Sequence, residues 1–328
     1  MADKKTSKNI RLVLVFAAAV LVMALFIRGG EVITAYQVQT TNQSATTLNI
    51  SSLAPTMENV QCYDYNSVLL TSMGTNPLAL KGGATAMVIC NGTGNDNNGG
   101  ETINGTIGGS TTGRAYETSQ GFGCSGDQRN CYVNSTCAAL GIKNATAQYF
   151  ECRYFVQYHA DNTSQAGSWT GWMSVTDGAS YGNSTTIFDV DELLAVGVPG
   201  VLAFGSAIPG EKLNMNRSHA VSNYGNVQVD LKLNGSAIGM DCTSAQDVPV
   251  GNIKYNCTDS ANLYDGQGTP LSTSAASDNC TTFNLAESQS TGPGAPTPTS
   301  KDTYWGVAVP LGVAGTCQGT IWFTAILG

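Results

Sequence analysis

The chain has few of the residues on which most enzymes rely. Only two of its 328 residues are histidines, His159 and His219; neither comes with a Gly-x-Ser-x-Gly nucleophile turn, and each is interpreted as a surface or hydrogen-bonded histidine. Phosphate-binding loops of the GxxxxGK(S/T) and GxGxxG types are missing from any strand-to-helix context. Asp189, Asp191 and Glu192 lie close together in sequence, but they fit a solvated linker or a helix cap better than the paired carboxylates of a glycosidase. The sequence therefore predicts a protein that is not an enzyme.

Charge is scarce as well, because Asp, Glu, Lys and Arg make up 12% of the chain. The first 30 residues hold five of the 15 basic side chains and one of the 23 acidic ones, so the remainder has 10 basic and 22 acidic side chains and a net charge of −12. Such a surface disfavours nucleic acid and anionic lipid surfaces as partners. Solubility must rest on Ser, Thr, Asn, Gly and attached glycans.

The longest apolar run lies at the N-terminus. Four basic residues precede residues 12–27 and one, Arg28, follows them, which predicts that the N-terminus stays inside while the rest is exported. The run is shorter than the ~20 residues that span a bilayer comfortably and slightly longer than a typical signal-peptide core. A signal peptide cut after Ala35 and a retained membrane anchor therefore both stay open. In either case residues 1–30 predict an extracellular or cell-surface protein that touches the membrane only through this segment.

Twelve Asn-X-Ser/Thr sequons follow the apolar run, and none precedes it. A sequon is used only by a chain that meets an N-glycosylation system outside the cytosol. Their even scatter favours real use over the chance occurrence expected in a chain rich in Asn, Ser, Thr and Gly. We therefore predict N-linked glycans on Asn42, Asn49, Asn91, Asn104, Asn134, Asn144, Asn162, Asn183, Asn216, Asn234, Asn256 and Asn279.

All 10 cysteines also follow the leader, with no CxxC pair and no Cys/His cluster of metal-ligand spacing. In an exported chain this even count predicts disulfides rather than a metal site. Six cysteines lie before residue 153 and four after residue 241, which suggests bridges within each of two domains. The residues expected to form them are Cys62, Cys90, Cys124, Cys131, Cys137, Cys152, Cys242, Cys257, Cys280 and Cys317.

Two pairings have a physical rationale. Cys90 ends one apolar segment and Cys152 lies within another, so a bridge between them would pin two facing sheets through the core, as in immunoglobulin-like sandwiches. A local bridge is expected among Cys124, Cys131 and Cys137, because their Gly-, Ser- and Asn-rich stretch cannot build much core.

The periodicity after residue 30 is that of β-strands. Short segments alternate apolar and polar residues or are rich in β-branched and aromatic ones, and clusters of Gly, Asn, Asp and Ser bound them. The clearest are residues 84–90, 149–158, 170–175, 185–190, 226–233, 304–309 and 319–326. Turns are expected at Asn223-Tyr224-Gly225-Asn226 and at Leu233-Asn234-Gly235, and a short helix is the best interpretation of residues 189–196. The fold class predicted is all-β.

The exported part is too long for one sandwich of ~100 residues, so we expect two disulfide-containing β-sandwich domains after the N-terminal hydrophobic helix. A Val-Pro-Gly sequence at 198–200 follows the helical candidate and marks the boundary, giving domains of residues 50–190 and 191–328. A polar, Pro-rich loop at 291–300 is expected to be a mobile insertion in the second domain.

Residues 31–49 are predicted to form an extended arm. Their first half has strand propensity, and their second half is rich in Thr, Asn, Gln and Ser. The arm is interpreted either as a donor strand that fills a groove of a neighbouring subunit or as a flexible stalk. The apolar residues that would fill such a groove are Val32, Ile33, Ala35, Tyr36 and Val38.

Several sequence segments of the second domain resemble segments of secreted archaeal surface proteins with immunoglobulin-like sandwiches. They are residues 223–235, 248–255, 304–310 and 315–325, with weaker counterparts in the first domain at 95–100 and 168–177. Proteins similar to these include subunits of archaeal and bacterial extracellular filaments that are joined by donor strands. The resemblance covers about half of the exported chain and implies the fold more than the function.

No cofactor is predicted, although Asp96 in the Asn- and Gly-rich stretch 95–101 offers hard oxygen ligands that would suit calcium. An Asn/Asp/Gly turn explains the same residues through backbone geometry. The tryptophans could line a sugar-binding platform, but strand alternation explains most of them as core; they are Trp169, Trp172, Trp305 and Trp322.

Two functions from different classes fit these features. The first is an exported, glycosylated structural subunit of a cell-surface filament or layer, whose partners are copies of itself. The second is a membrane-tethered adhesin or receptor ectodomain that binds a ligand or a glycan.

Overall fold

The protein is described here from a computed structural model. The structure describes residues 53–99, 111–124, 128–134, 137–243, 246–258, 263–274, 279–288 and 296–328, and only the backbone at 111, 214–217, 265 and 279. Ser52–Gly328 form one compact unit. The predicted leader, the arm with its five apolar residues, and the sequons at Asn42, Asn49 and Asn104 all lie outside the described residues.

Antiparallel strands dominate the described part, as the sequence predicts. The first eight are β1 Thr56–Asp64, β2 Thr85–Asn95, β3 Thr111–Glu117, β4 Cys131–Asn134, β5 Ala138–Asn144, β6 Ala147–Gln157, β7 Trp169–Thr176 and β8 Tyr181–Phe188. The second eight are β9 Val196–Gly197, β10 Lys212–Asn223, β11 Val229–Cys242, β12 Ile253–Asn256, β13 Thr269–Pro270, β14 Asn279–Leu285, β15 Ser300–Ala308 and β16 Cys317–Leu327. One short helix, α1 Thr163–Ala166, and helical turns at Thr118–Gln120, Val250–Asn252 and Leu263–Gln267 complete the described secondary structure. No described helix is long and apolar enough to cross a bilayer.

The first eight strands form two four-stranded sheets, with strand orders β1-β2-β6-β5 and β4-β3-β7-β8. Strand β6 shows why they fold this way: Phe150, Cys152, Tyr154 and Val156 are buried, whereas the alternating Phe155 is exposed. The buried faces of both sheets enclose one hydrophobic cluster, which also contains the fully buried Trp169 and Phe188.

The last eight strands form a five-stranded sheet, β13-β12-β15-β10-β9, and a three-stranded sheet, β14-β11-β16. Between them lies a second cluster that includes Leu231, Phe283 and Trp305, all buried. The first cluster ends at Leu193 and the second begins at Val196. We call the two parts the first and second sandwich; that they are separate domains, divided near residue 191, stays a prediction.

The predicted helix at 189–196 is wrong. Val190 instead forms a parallel bridge with Leu78, and residues 191–195 have no regular secondary structure. The Asp189 carboxylate does not cap a helix, because it accepts hydrogen bonds from the Gly74 amide and the Ser168 hydroxyl. Contacts with distant segments therefore override the local helix propensity.

The predicted turn at Leu233-Asn234-Gly235 is also wrong. These residues lie inside β11, where they pair with Phe323, Trp322 and Ile321 of β16. Leu233 is fully buried, so burial of one strand face outweighs the turn preference of an Asn-Gly pair. The turn predicted around Asn223 does connect β10 to β11.

All 10 cysteines are paired, and every bridge stays within one sandwich. The pairs are Cys62–Cys90, Cys124–Cys131, Cys137–Cys152, Cys242–Cys317 and Cys257–Cys280. The Cys124–Cys131 bridge is the local one expected from composition.

The predicted Cys90–Cys152 bridge is wrong because these residues oppose each other on neighbouring strands of one sheet, not on facing sheets. Each cysteine instead bonds on the side away from the other: Cys90 to Cys62 on β1, and Cys152 to Cys137, which directly precedes β5. The facing sheet makes room for the sulfurs with glycines: a Cβ on Gly171 would collide with the sulfur of Cys62.

Candidate functional site: an open edge of the second sandwich

On one side of the second sandwich, β10 and β16 each have an open edge among the described residues; β13 and β14 form the opposite edges of the two sheets. In the five-stranded sheet, β9 covers only the Ser222 and Asn223 end of β10, so the rest of that edge has no strand beside it. In the three-stranded sheet, β16 pairs with β11 alone. The His219 ring on β10 lies 5.6 Å from the Phe323 ring on β16, which shows that the two open edges lie on the same side.

Burial confirms that this side of the sandwich is open. On β11 the core-facing Leu231 and Leu233 are fully buried. On the neighbouring β16 the core-facing Ile321, Phe323 and Ala325 pack against the same core but are only partly buried. A strand in the middle of a complete sheet would bury such residues on this face.

A groove of about 1140 Å³ runs between the two edges. Its lining is mixed: Leu213, Ile253 and Val307 from one sheet and Met240, Ile321 and Phe323 from the other are apolar, whereas Thr316, Gln318 and Thr320 add polar side chains. The apolar part of the lining would suit a row of apolar side chains.

Residues 198–209, which we call the groove segment, lie along this groove. Leu202 and Phe204 point inward and pack against the core, whereas Val201 and Ile208 are 78% and 70% exposed. Residues 198–207 make no main-chain hydrogen bond to another main-chain group of the described chain. The segment therefore covers the groove without acting as a strand.

His219 connects the groove segment to the sandwich. The sequence predicts a surface or hydrogen-bonded histidine; His219 lies in β10, where it is buried and hydrogen-bonded. Burial lowers its pKa below the ordinary 6.5, while a hydrogen bond to the Pro199 carbonyl and the charge of Asp302 act in the opposite direction. The neutral ring is thus favoured, and its N–H can hold the start of the groove segment. His159 is also fully buried.

The structure places the predicted glycosylation sites in different environments. Asn144 and Asn183 are exposed, and the other described acceptors except one are partly exposed; these are Asn91, Asn134, Asn234 and Asn256. Asn162 is fully buried, where its Nδ2 donates to the Asn226 carbonyl at 3.2 Å and its Oδ1 caps α1. Because a glycan is attached through that amide nitrogen, the folded structure argues against Asn162 as an acceptor. For Asn216 and Asn279 only the backbone is described.

Asp96, the residue considered for calcium, is buried and accepts a hydrogen bond from the Asn98 amide at 2.8 Å. This is the contact of an Asx turn, which forms without an ion. Among the described residues there is no group of three or more His, Cys, Asp or Glu that would hold a metal ion. Calcium binding stays a prediction.

The four tryptophans do not form one platform. Trp169 and Trp305 are fully buried in the two cores, and Trp322 lies on the outer face of β16. Trp172 packs against the half-exposed Phe122 at a ring distance of 4.5 Å.

No protein-family model matches the chain, and no curated protein matches it significantly. Among solved structures, one similar chain belongs to a chaperone–tip adhesin complex described as vital for synergistic activation of CFA/I fimbriae biogenesis. The two chains are 9% identical over 85% of this chain and 92% of the other, with a TM-score of 0.25. A likeness of this degree does not establish a common function.

Proposed function

We propose that the protein is an exported, glycosylated structural subunit of a cell-surface filament or layer. In this proposal residues 31–49 of one copy complete the open edge of the second sandwich of the next copy, by donor-strand complementation. The observation that carries the proposal is the groove between β10 and β16, because it lies along two open strand edges and is lined in part by apolar side chains.

The first part of the arm matches such a gap in length and pattern. Residues 31–39 would extend for ~30 Å as a strand, and an equal number of residues separates Leu213 from Val221 on β10. In a strand Val32, Tyr36 and Val38 share one face, which would point into the groove. Their burial would contribute ~25 cal/mol per Å² of apolar surface, and main-chain bonds to β10 or β16 would add affinity.

The remaining features support an exposed extracellular location. Five disulfides indicate an oxidising compartment, and exposed Asn144 and Asn183 are accessible to glycosylation. The net charge of −12 on the exported part keeps free subunits apart until a specific contact forms.

Deleting residues 31–48, which removes the whole strand-forming half of the arm, tests the proposal. Because both sandwiches keep their own cores, we expect a folded monomer that no longer assembles. Light scattering reports the mass of the particles, and electron microscopy reports fibres or layers. A truncated protein that still assembles would eliminate the donor-strand mechanism, and a full-length protein that stays monomeric at high concentration would eliminate the filament in its simplest form.

One observation favours the second candidate function, a tethered adhesin or receptor ectodomain. The Arg114 guanidinium lies 4.3 Å from the Phe122 ring, which itself packs against Trp172. An aromatic pair with a cation beside it, partly open to solvent, can stack on a sugar ring. A glycan array read with wild type and with Trp172→Ala tests this function: glycan binding lost in the variant would support it, and absence of binding by the wild type would count against it.

A further inference from the structure

We infer that the groove segment is the internal occupant of the donor-strand groove in the free subunit, and that the arm of a second copy displaces it during assembly. This inference rests on the proposed function and adds one step to it: the groove segment must leave the groove between β10 and β16 before the arm can bind there.

The groove segment lies along the groove and forms part of its lining. Leu202 and Phe204 are its two inward residues, and they pack against the same core that lines the groove. A donor strand that fills the groove with its own apolar side chains must therefore remove them.

The segment is attached weakly along its length and firmly at its ends. Residues 198–207 have no main-chain hydrogen bond to the flanking strands, so their release breaks no ladder. Before the segment, β9 pairs with Ser222 and Asn223, and after it the Gly210 amide donates to the Val309 carbonyl at 2.8 Å. It can swing out as a loop while both ends stay in place. An arm paired with β10 would gain the ladder bonds that the segment lacks.

The exposed apolar side chains of the segment fit the position that it would take after displacement. Val201 and Ile208 are apolar but largely exposed, and Leu311 beside Gly210 is 76% exposed. These exposed apolar side chains would be available to a partner that the segment meets after assembly.

The test compares an inward variant, Leu202→Ser with Phe204→Ser, with an outward control, Val201→Ser with Ile208→Ser. Both are made in the full exported chain with its arm. Because only the inward pair removes contacts that hold the segment in the groove, we expect the inward variant to assemble with a severalfold shorter lag in light scattering. The outward control should keep the wild-type lag. An inward variant that assembles more slowly than wild type, or at the same rate, would overturn the inference.

Hydrogen exchange separates this inference from the proposed function. On assembly, wild-type amides of β10 or β16 should become protected, while amides of residues 198–207 should not gain protection. Protection of the strands together with protection of 198–207 would refute displacement but leave donor-strand assembly standing. No protection of either strand in assembled material would refute the proposed function itself.

A milder variant covers the case in which the double substitution does not fold. Phe204→Ala alone should shorten the lag to a smaller extent, with circular dichroism as the check on folding. A synthetic peptide of residues 198–209, added in trans to wild type, should compete with the arm and lengthen the lag. If neither the variant nor the peptide changes the lag, the segment does not compete for the groove.

Discussion

Replacing Asn226 by alanine should weaken the contact between the two sandwiches. The Asn226 side chain is 2% exposed and links them through three hydrogen bonds. Its Nδ2 donates to the carbonyls of Ala160 and Asp191 at 2.9 and 3.0 Å, and its Oδ1 accepts from the Leu193 amide at 2.7 Å. All three partners are main-chain groups of the segments that belong to, or leave, the first sandwich.

The expected loss in the free energy of unfolding follows from the polar groups that the substitution leaves without a partner. An alanine leaves three main-chain groups without their partner, and a buried unsatisfied group costs ~1–3 kcal/mol. Water that enters at the exposed Asp191 and the partly exposed Leu193 would recover part of this, so we expect a loss of about 3 kcal/mol. For a protein of this size that corresponds to a decrease in Tm of roughly 6–12 °C.

Calorimetry with the disulfides intact is the appropriate assay, because it reports both Tm and the number of transitions. If Asn226 couples the sandwiches, the variant should also begin to unfold in two steps. Asn97→Ala is the matched control, since Asn97 is exposed and should shift Tm by less than 1–2 °C, as ~0.5 kcal/mol at the surface implies. The reasoning would be refuted if Asn226→Ala and Asn97→Ala had the same Tm.

Three further predictions concern single residues. Burial holds the pKa of His219 in the folded protein below its ordinary 6.5, so the unfolded chain binds more protons just below that pH. The free energy of unfolding should therefore be highest above about pH 6.5 and decline as the pH falls. Denaturant titrations should show a smaller decline for His219→Gln. Gly171→Ala should cost ~1–3 kcal/mol in urea unfolding, because the added methyl meets a bridge sulfur, whereas Gly200→Ala, which meets nothing within 4 Å, should be close to neutral. Glycopeptide mapping of protein from a glycosylating host should find Asn183 occupied and Asn162 bare; an occupied Asn162 would mean that the buried hydrogen bonds at that position do not form.

The strands could be predicted from the sequence because burial follows a period of two. Strand β6 alternates Phe150, Cys152 and Tyr154 on the core side with exposed residues on the other, and such a pattern needs no knowledge of neighbouring strands. The predictions that failed are those in which a distant segment decides the outcome. Asp189 is held by Gly74 and Ser168, and the Asn-Gly pair in β11 is held by β16.

The groove could not be predicted from the sequence, because it lies where no described strand pairs with most of β10 or with the outer edge of β16. The groove segment contains apolar residues but also Pro199, Gly200 and Gly205, which locally indicate only a boundary between domains. Only the pairing of the strands shows that the segment lies along a groove, because β10 and β16 have open edges on the same side. The arm, by contrast, is predicted from the strand propensity of its first half, but the sequence does not say which groove it would enter.

The position of the disulfides bears on how a filament would withstand pulling. If subunits are linked through the arm, tension enters each one just before β1 and leaves through the strands of the second sandwich. Unravelling from the arm side would stop at Cys62, which is fastened to β2, and peeling of β16 from its start would stop at Cys317, which is fastened to β11. The two bridges would keep residues 62–90 and 242–317 out of the length of chain that tension can release, so a reducing agent should let the fibre extend further under the same load.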